Sequence, residues 1–239
     1  MNVFRTVLLL SVLIPARWMD ASPQDVDVQA QVQISFQGAQ KGKAHAPPST
    51  VLLWLTPVLS EGRSAPMQLE PGHFRMVQRN KSFEPHLLVV PLGSTVSFPN
   101  HDPFFHNVFS QFNGKRFDLG LYEAGNSRDV QFNHEGVSYL FCNIHPEMSA
   151  VVITLATSYF VTSTAGATAV FRHVPAGTYD LQVWVEGIDS KELNAHARRV
   201  HISQAATNLG VIQLDAPDMV PPHKNKFGED YRSNRPDVY

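Results

Sequence analysis

Apolar and polar residues alternate strictly between positions 26 and 36. Val26, Val28, Ala30, Val32, Ile34 and Phe36 fall on one side, and Asp27, Gln29, Gln31, Gln33 and Ser35 on the other. A period of two predicts a half-buried β-strand. The run Val51-Leu52-Leu53-Trp54-Leu55 reads as a short, deeply buried strand. Residues 87–90 and 95–98 read as two strands around the turn Pro91-Leu92-Gly93-Ser94. Residues 137–141 and 149–155 predict two more, and residues 38–49 and 60–71 read as loop. Beyond 155 the pattern continues with strand segments at 160–166, 169–171, 174–186, 200–202 and 209–214, separated by glycine and proline turns. No stretch holds a helical period with caps, so the expected class is all-β.

A chain of 239 residues is long enough for one full core and a second, smaller one. Hydrophobic residues at 43% and charged residues at 17% are globular values, and a net charge of −2 argues against a nucleic-acid partner. Residues 1–22 carry Arg5 and then the apolar run Val7 to Ile14, too short to span a bilayer, and read as a secretory signal. The expectation is a periplasmic or secreted protein with no transmembrane segment once the signal is removed. The final stretch, 216–239, holds Pro217, Pro221, Pro222 and Pro236 among charged residues and is expected to be an extended polar tail.

Export changes the meaning of Cys142, the single cysteine of the chain. An oxidising compartment pairs cysteines, and this one has no intramolecular partner. It stands in Cys142-Asn143-Ile144-His145-Pro146-Glu147-Met148, where a thiolate, an imidazole and a thioether follow one another at C-x2-H-x2-M spacing. Those are three of the four donors of a blue copper centre, and the fourth is an imidazole from elsewhere in the chain. His106, in Phe105-His106-Asn107-Val108, is the candidate. An inert buried cysteine would not need these neighbours, and a Cys-His-His-Met set is a poor match for zinc. Haem attachment is excluded because no C-x-x-C-H occurs. The strand at 137–141 would deliver Cys142 at its end, and the Pro146 ring restricts the loop between His145 and Met148.

The segments from His106-Asn107-Val108 to Cys142-x2-His145-x2-Met148 resemble the cupredoxins, with a short ligand loop similar to that of amicyanin and pseudoazurin. The run 76–86, Phe98-Pro99-Asn100 and Phe117-Asp118-Leu119-Gly120 resemble exported plastocyanin-like bacterial proteins often labelled methylamine utilisation proteins. That resemblance covers residues 28–155 and implies a Greek-key β-sandwich holding one type 1 copper ion. His106, Cys142 and His145 would form the trigonal set and Met148 the axial ligand. Asn107 would tie the two ligand loops together, and His145 would be the ligand at the solvent edge, beside Pro103, Phe104, Phe105 and Pro146. The resemblance also implies a carrier of single electrons between redox proteins, such as a dehydrogenase, a cytochrome or an oxidase. A copper-binding or copper-delivery protein without electron transfer is the alternative. No H-x-H pair is present from which a multicopper oxidase would build a second cluster, so a carrier is favoured over an enzyme.

The other histidines do not fit a metal pattern. His101 and His134 sit in turn compositions, and His45, His73, His86, His173, His196, His201 and His223 lack a partner at ligand spacing. The run Val174-Pro175-Ala176-Gly177-Thr178-Tyr179-Asp180-Leu181 resembles carboxypeptidase-regulatory-like, transthyretin-like sandwich modules, which implies a structural or interaction role. The expected organisation is therefore a signal at 1–22, a cupredoxin sandwich at 23–155, a smaller β-sandwich at 156–215 and a tail from 216.

Overall fold

The computed structural model describes residues 25–36, 50–58, 69–111, 114–216 and 224–231. The expected signal and the loop at 38–49 lie outside them, as does most of the 60–71 stretch. Among the described residues no helix is long and apolar enough to cross a membrane.

The strands run in the order β1 (Val26–Phe36), β2 (Thr50–Pro57), β3 (His73–Arg75), β4 (Val77–Arg79), β5 (Ser82–Glu84), β6 (Leu87–Pro91) and β7 (Thr95–Pro99). There follow β8 (His106–Ser110), β9 (Phe117–Tyr122), β10 (Ser127–Gln131), β11 (Gly136–Phe141) and β12 (Ser149–Leu155). The last are β13 (Phe160–Thr164), β14 (Thr168–Val174), β15 (Gly177–Val185), β16 (Arg198–Ile202) and β17 (Asn208–Ala216). A six-residue helix, α1 (Ser190–Ala195), follows Asp189, whose carboxylate accepts the Lys191 N–H at 2.6 Å. Six residues are too few to show a helical period, which is why the hydrophobic pattern misses it.

One sandwich holds the ligand segments. A five-stranded sheet ordered β6-β12-β11-β8-β9 faces the sheet β10-β7-β3 and the hairpin β4-β5. Met76, Phe98, Val108, Phe132, Leu140, Cys142, Met148 and Val152 are all buried in the core between them.

The second sandwich corrects the expected domain boundary. β1 lies between β14, antiparallel, and β17, parallel. β2 lies between β13 and β15 in the sheet β13-β2-β15-β16. The first two strands, expected at the front of the cupredoxin sandwich, thus complete the module formed by residues after 155, and residues 69–155 are an insertion between β2 and β13. Alternation in β1 announces one buried face and carries no information about which strands flank it.

The continuous apolar run of β2 now has a cause. Trp184, across from Leu52, donates its indole N–H to the Tyr139 hydroxyl of β11 at 3.2 Å. Val151, Ile153 and Leu155 of β12 join the second core, with Leu87, Val89 and Tyr139 packed against it. Both faces of the β2 sheet are covered, one by the sheet containing β1 and one by the five-stranded sheet, so neither face calls for polar residues. β12 likewise turns Ala150 and Val152 to the first core and Val151 and Ile153 to the second.

Only residues 224–231 of the expected tail beyond Ala216 are described. They lie against the loop that carries Cys142, with Asn225, Lys226 and Tyr231 half-buried and the others exposed.

Candidate metal centre

His106 opens β8, a strand buried along its whole length. The turn before it is shaped by Asn100, whose Oδ1 accepts the Asp102 N–H at 3.0 Å and whose Nδ2 donates to the Phe104 carbonyl at 2.8 Å. Asp102 accepts the N–H groups of Asn80 at 2.6 Å and Lys81 at 2.9 Å, the two turn residues of the β4-β5 hairpin. Both have φ of 54°, the left-handed geometry of a two-residue hairpin turn, which aims successive N–H groups at one carboxylate.

Asp102 Oδ2 also lies 2.7 Å from His106 Nε2. Burial alone would raise the Asp102 carboxyl; the Lys81 N–H, the His106 ring and the Asn80 N–H hold it below the ordinary carboxylate range. With Nε2–H donated to the carboxylate, His106 presents an unprotonated Nδ1 to the interior. Burial lowers its readiness to protonate, outweighing the pull of Asp102.

Cys142 follows β11 directly, where Phe141 pairs with both Phe109 and Ser149. The ligand loop closes on itself: Cys142 N–H donates to the Met148 carbonyl and Met148 N–H to the His145 carbonyl, each at 3.1 Å. Burial pushes the Cys142 thiol up, while the backbone N–H groups of Asn107, Ile144 and His145 favour its thiolate.

The structure brings His106, Cys142 and His145 together. Cys142 Sγ is 3.8 Å from His106 Nδ1 and 3.6 Å from His145 Nδ1, and the two nitrogens are 3.1 Å apart. All three residues are buried. Met148 is fully buried in the same core as Cys142. Phe104 flanks both imidazoles, with ring centroids 5.2 Å from His106 and 5.6 Å from His145. A sulfur faced by three backbone N–H groups and two ring nitrogens converging on one spot form a site for a thiophilic cation, whose binding would displace the thiol proton. Among the described residues this is the one cluster of that kind.

Asn107 links the two ligand segments through its backbone. Its N–H reaches the Cys142 sulfur, and its side-chain amide donates to Asp118 Oδ1 on β9 at 2.7 Å. His145 is 8% exposed against 0% for His106, and Pro103, Phe105 and Pro146 are exposed and Phe104 half-buried. His101 contacts Arg79, and His134 contacts Asn133. His45 and His223 lie outside the described residues.

Asp102 and the pair Lys226 and Tyr231 were not legible as site residues. Asp102 had one signal, a carboxylate four positions before a candidate ligand histidine in a turn composition. Lys226 and Tyr231 had none, since they bond to an asparagine side chain and a backbone carbonyl.

No family model and no curated protein matches this chain. Among solved structures it is similar to a purple cupredoxin from Nitrosopumilus maritimus, at 27% identity over 34% of this chain and 98% of that one, with a TM-score of 0.32. A copper-containing nitrite reductase from Thermus scotoductus matches at 26% identity over 43% of this chain, with a TM-score of 0.35; the chain spans only 26% of that enzyme. An oxidized methionine-to-leucine mutant of amicyanin matches at 19% identity over 34% of this chain and 81% of that one, with a TM-score of 0.33.

Proposed function

We propose that the chain is an exported one-copper protein that passes single electrons between redox proteins, with His106, Cys142, His145 and Met148 as the ligands. The observation that carries this reading is the buried convergence of Cys142 Sγ with the Nδ1 atoms of His106 and His145, all within 4.8 Å of one another. Copper bound there would supply a one-electron cuprous–cupric couple.

The protein residues supply the rest. Asp102 fixes the tautomer and orientation of His106. Three backbone N–H groups face the sulfur and would stabilise its thiolate once a cation is bound. The hydrogen-bonded loop and the Phe104 ring keep the donors in place and exclude water, which limits rearrangement when the charge of the centre changes. The exposed Pro103, Phe105 and Pro146 form an apolar rim on which a dehydrogenase, cytochrome or oxidase would dock. Export rests on the apolar segment within residues 1–22.

Visible absorption and electron paramagnetic resonance of the copper-loaded chain test the assignment. The expected result is an intense thiolate-to-copper band and a narrow copper hyperfine splitting, both lost in Cys142→Ser and bleached reversibly by ascorbate. A weak tetragonal-copper spectrum would overturn the electron-transfer reading, and fast copper release to a chelator would favour copper delivery.

A further inference from the structure

The tail segment reaches the site from more than eighty positions downstream of Cys142. Tyr231 donates its hydroxyl to the Cys142 carbonyl at 2.7 Å. Lys226 N–H donates to Asn143 Oδ1 at 3.0 Å, and the Lys226 carbonyl accepts from the Gln111 side chain. Lys226 Nζ lies 2.8 Å from Asp118 Oδ2, whose other oxygen accepts from Asn107 at 2.7 Å and from the Gly120 N–H at 2.9 Å. The anchors therefore fall on Cys142 itself, on its successor Asn143 and, through Asp118, on the successor of His106.

The segment is built to make these contacts. Asn225 Oδ1 accepts the N–H groups of Phe227 at 2.9 Å and Glu229 at 3.0 Å, and the Asn225 N–H donates to the Glu229 carbonyl at 2.9 Å. That closed turn sets Lys226 and Tyr231 on the side facing the site. Burial, and then the neighbouring Cys142, push the Tyr231 hydroxyl up, so it keeps its proton as a donor. Burial would raise Asp118, but Lys226, the Gly120 N–H and Asn107 together hold its carboxyl below the ordinary range, so it stays an acceptor.

We propose that residues 224–231 form a strap that positions the Cys142 loop against the His106 strand, holding the metal site in shape before metal binds and slowing metal release. This rests on the proposed metal site but does not need the loaded protein for its test. Tyr231 and Lys226 are positioning residues: they touch the loop rather than the donor atoms.

The test is hydrogen–deuterium exchange of the full, metal-free chain, comparing wild type with Tyr231→Phe, Lys226→Met and Lys226→Arg. Each loss variant is expected to speed exchange of the Ile144 and His145 amides roughly five- to tenfold, the scale of one hydrogen bond. Amides of β1 and β14 are expected to stay unchanged, and Lys226→Arg to restore protection. In the copper-loaded chain the same variants are expected to shed copper to a chelator faster by a similar factor. Unchanged loop exchange in both loss variants, or equal acceleration in β1 and β14, would overturn the strap. If wild type takes up no copper while loop exchange responds as expected, the copper assignment fails and the strap stands.

Discussion

Asp102 Oδ2 and His106 Nε2 are 2.7 Å apart with both side chains buried, and the same carboxylate is pinned by the Asn80-Lys81 turn. The orientation of one candidate ligand is thus tied to a hairpin in the opposite sheet. Asp102→Asn is expected to turn its amide N–H either toward His106 Nε2–H and the Lys81 N–H, which share Oδ2, or toward the Asn80 N–H on Oδ1. Copper affinity is expected to fall about 10- to 100-fold, read by chelator competition. The metal-free chain is expected to lose roughly 1–3 kcal/mol in denaturant unfolding, because a buried donor loses its acceptor. Unchanged affinity would mean that β8 alone orients His106.

The alternation of β1 and the spacing of Cys142, His145 and Met148 were readable because each is a local pattern. The pairing of β1 with β14 and β17 was not, since alternation states which face is buried and leaves the neighbouring strands open. β2 held a clue in Val51-Leu52-Leu53: three successive buried residues demand cover on both faces, more than one ordinary two-layer sandwich provides. His106 was readable because the donor chemistry required a second imidazole. Asp102 and Tyr231 act through a carboxylate in a turn and a bond to a carbonyl, and neither leaves a distinctive mark on composition.

The insertion makes a fragment prediction possible. A fragment of residues 25–155 keeps β1 and β2 but removes β13 to β17, among them β14 and β17 beside β1 and β13 and β15 beside β2. It also uncovers Val151, Ile153 and Leu155 on one face of β12. Unpaired strands and an apolar sheet face favour association. The fragment is expected to elute as aggregates in size-exclusion chromatography and to bind a hydrophobic dye, whereas the whole chain does neither. A monomeric, dye-negative fragment would show that the first sandwich is independent of the second.

The contact between His86 and Glu186 links the two sandwiches and carries a pH dependence. His86 Nε2 lies 2.8 Å from Glu186 Oε2, and Nδ1 lies 3.1 Å from the Ser149 carbonyl. Both partners are acceptors, so the imidazolium, with two N–H donors, is the form this geometry favours. The Glu186 hydrogen bond raises the His86 pKa, against a smaller opposing effect of burial. The folded value therefore exceeds the ordinary 6.5. The contribution to stability is complete below 6.5 and is lost as pH rises through the raised folded value. Both side chains are about half exposed, which makes the effect modest and sensitive to salt. Denaturant midpoints of wild type and Glu186→Gln are expected to diverge below pH 6.5 and converge at higher pH, with the gap shrinking as salt is added. A gap that persists unchanged at high pH would mean that Glu186 acts through packing and not through the charge on His86.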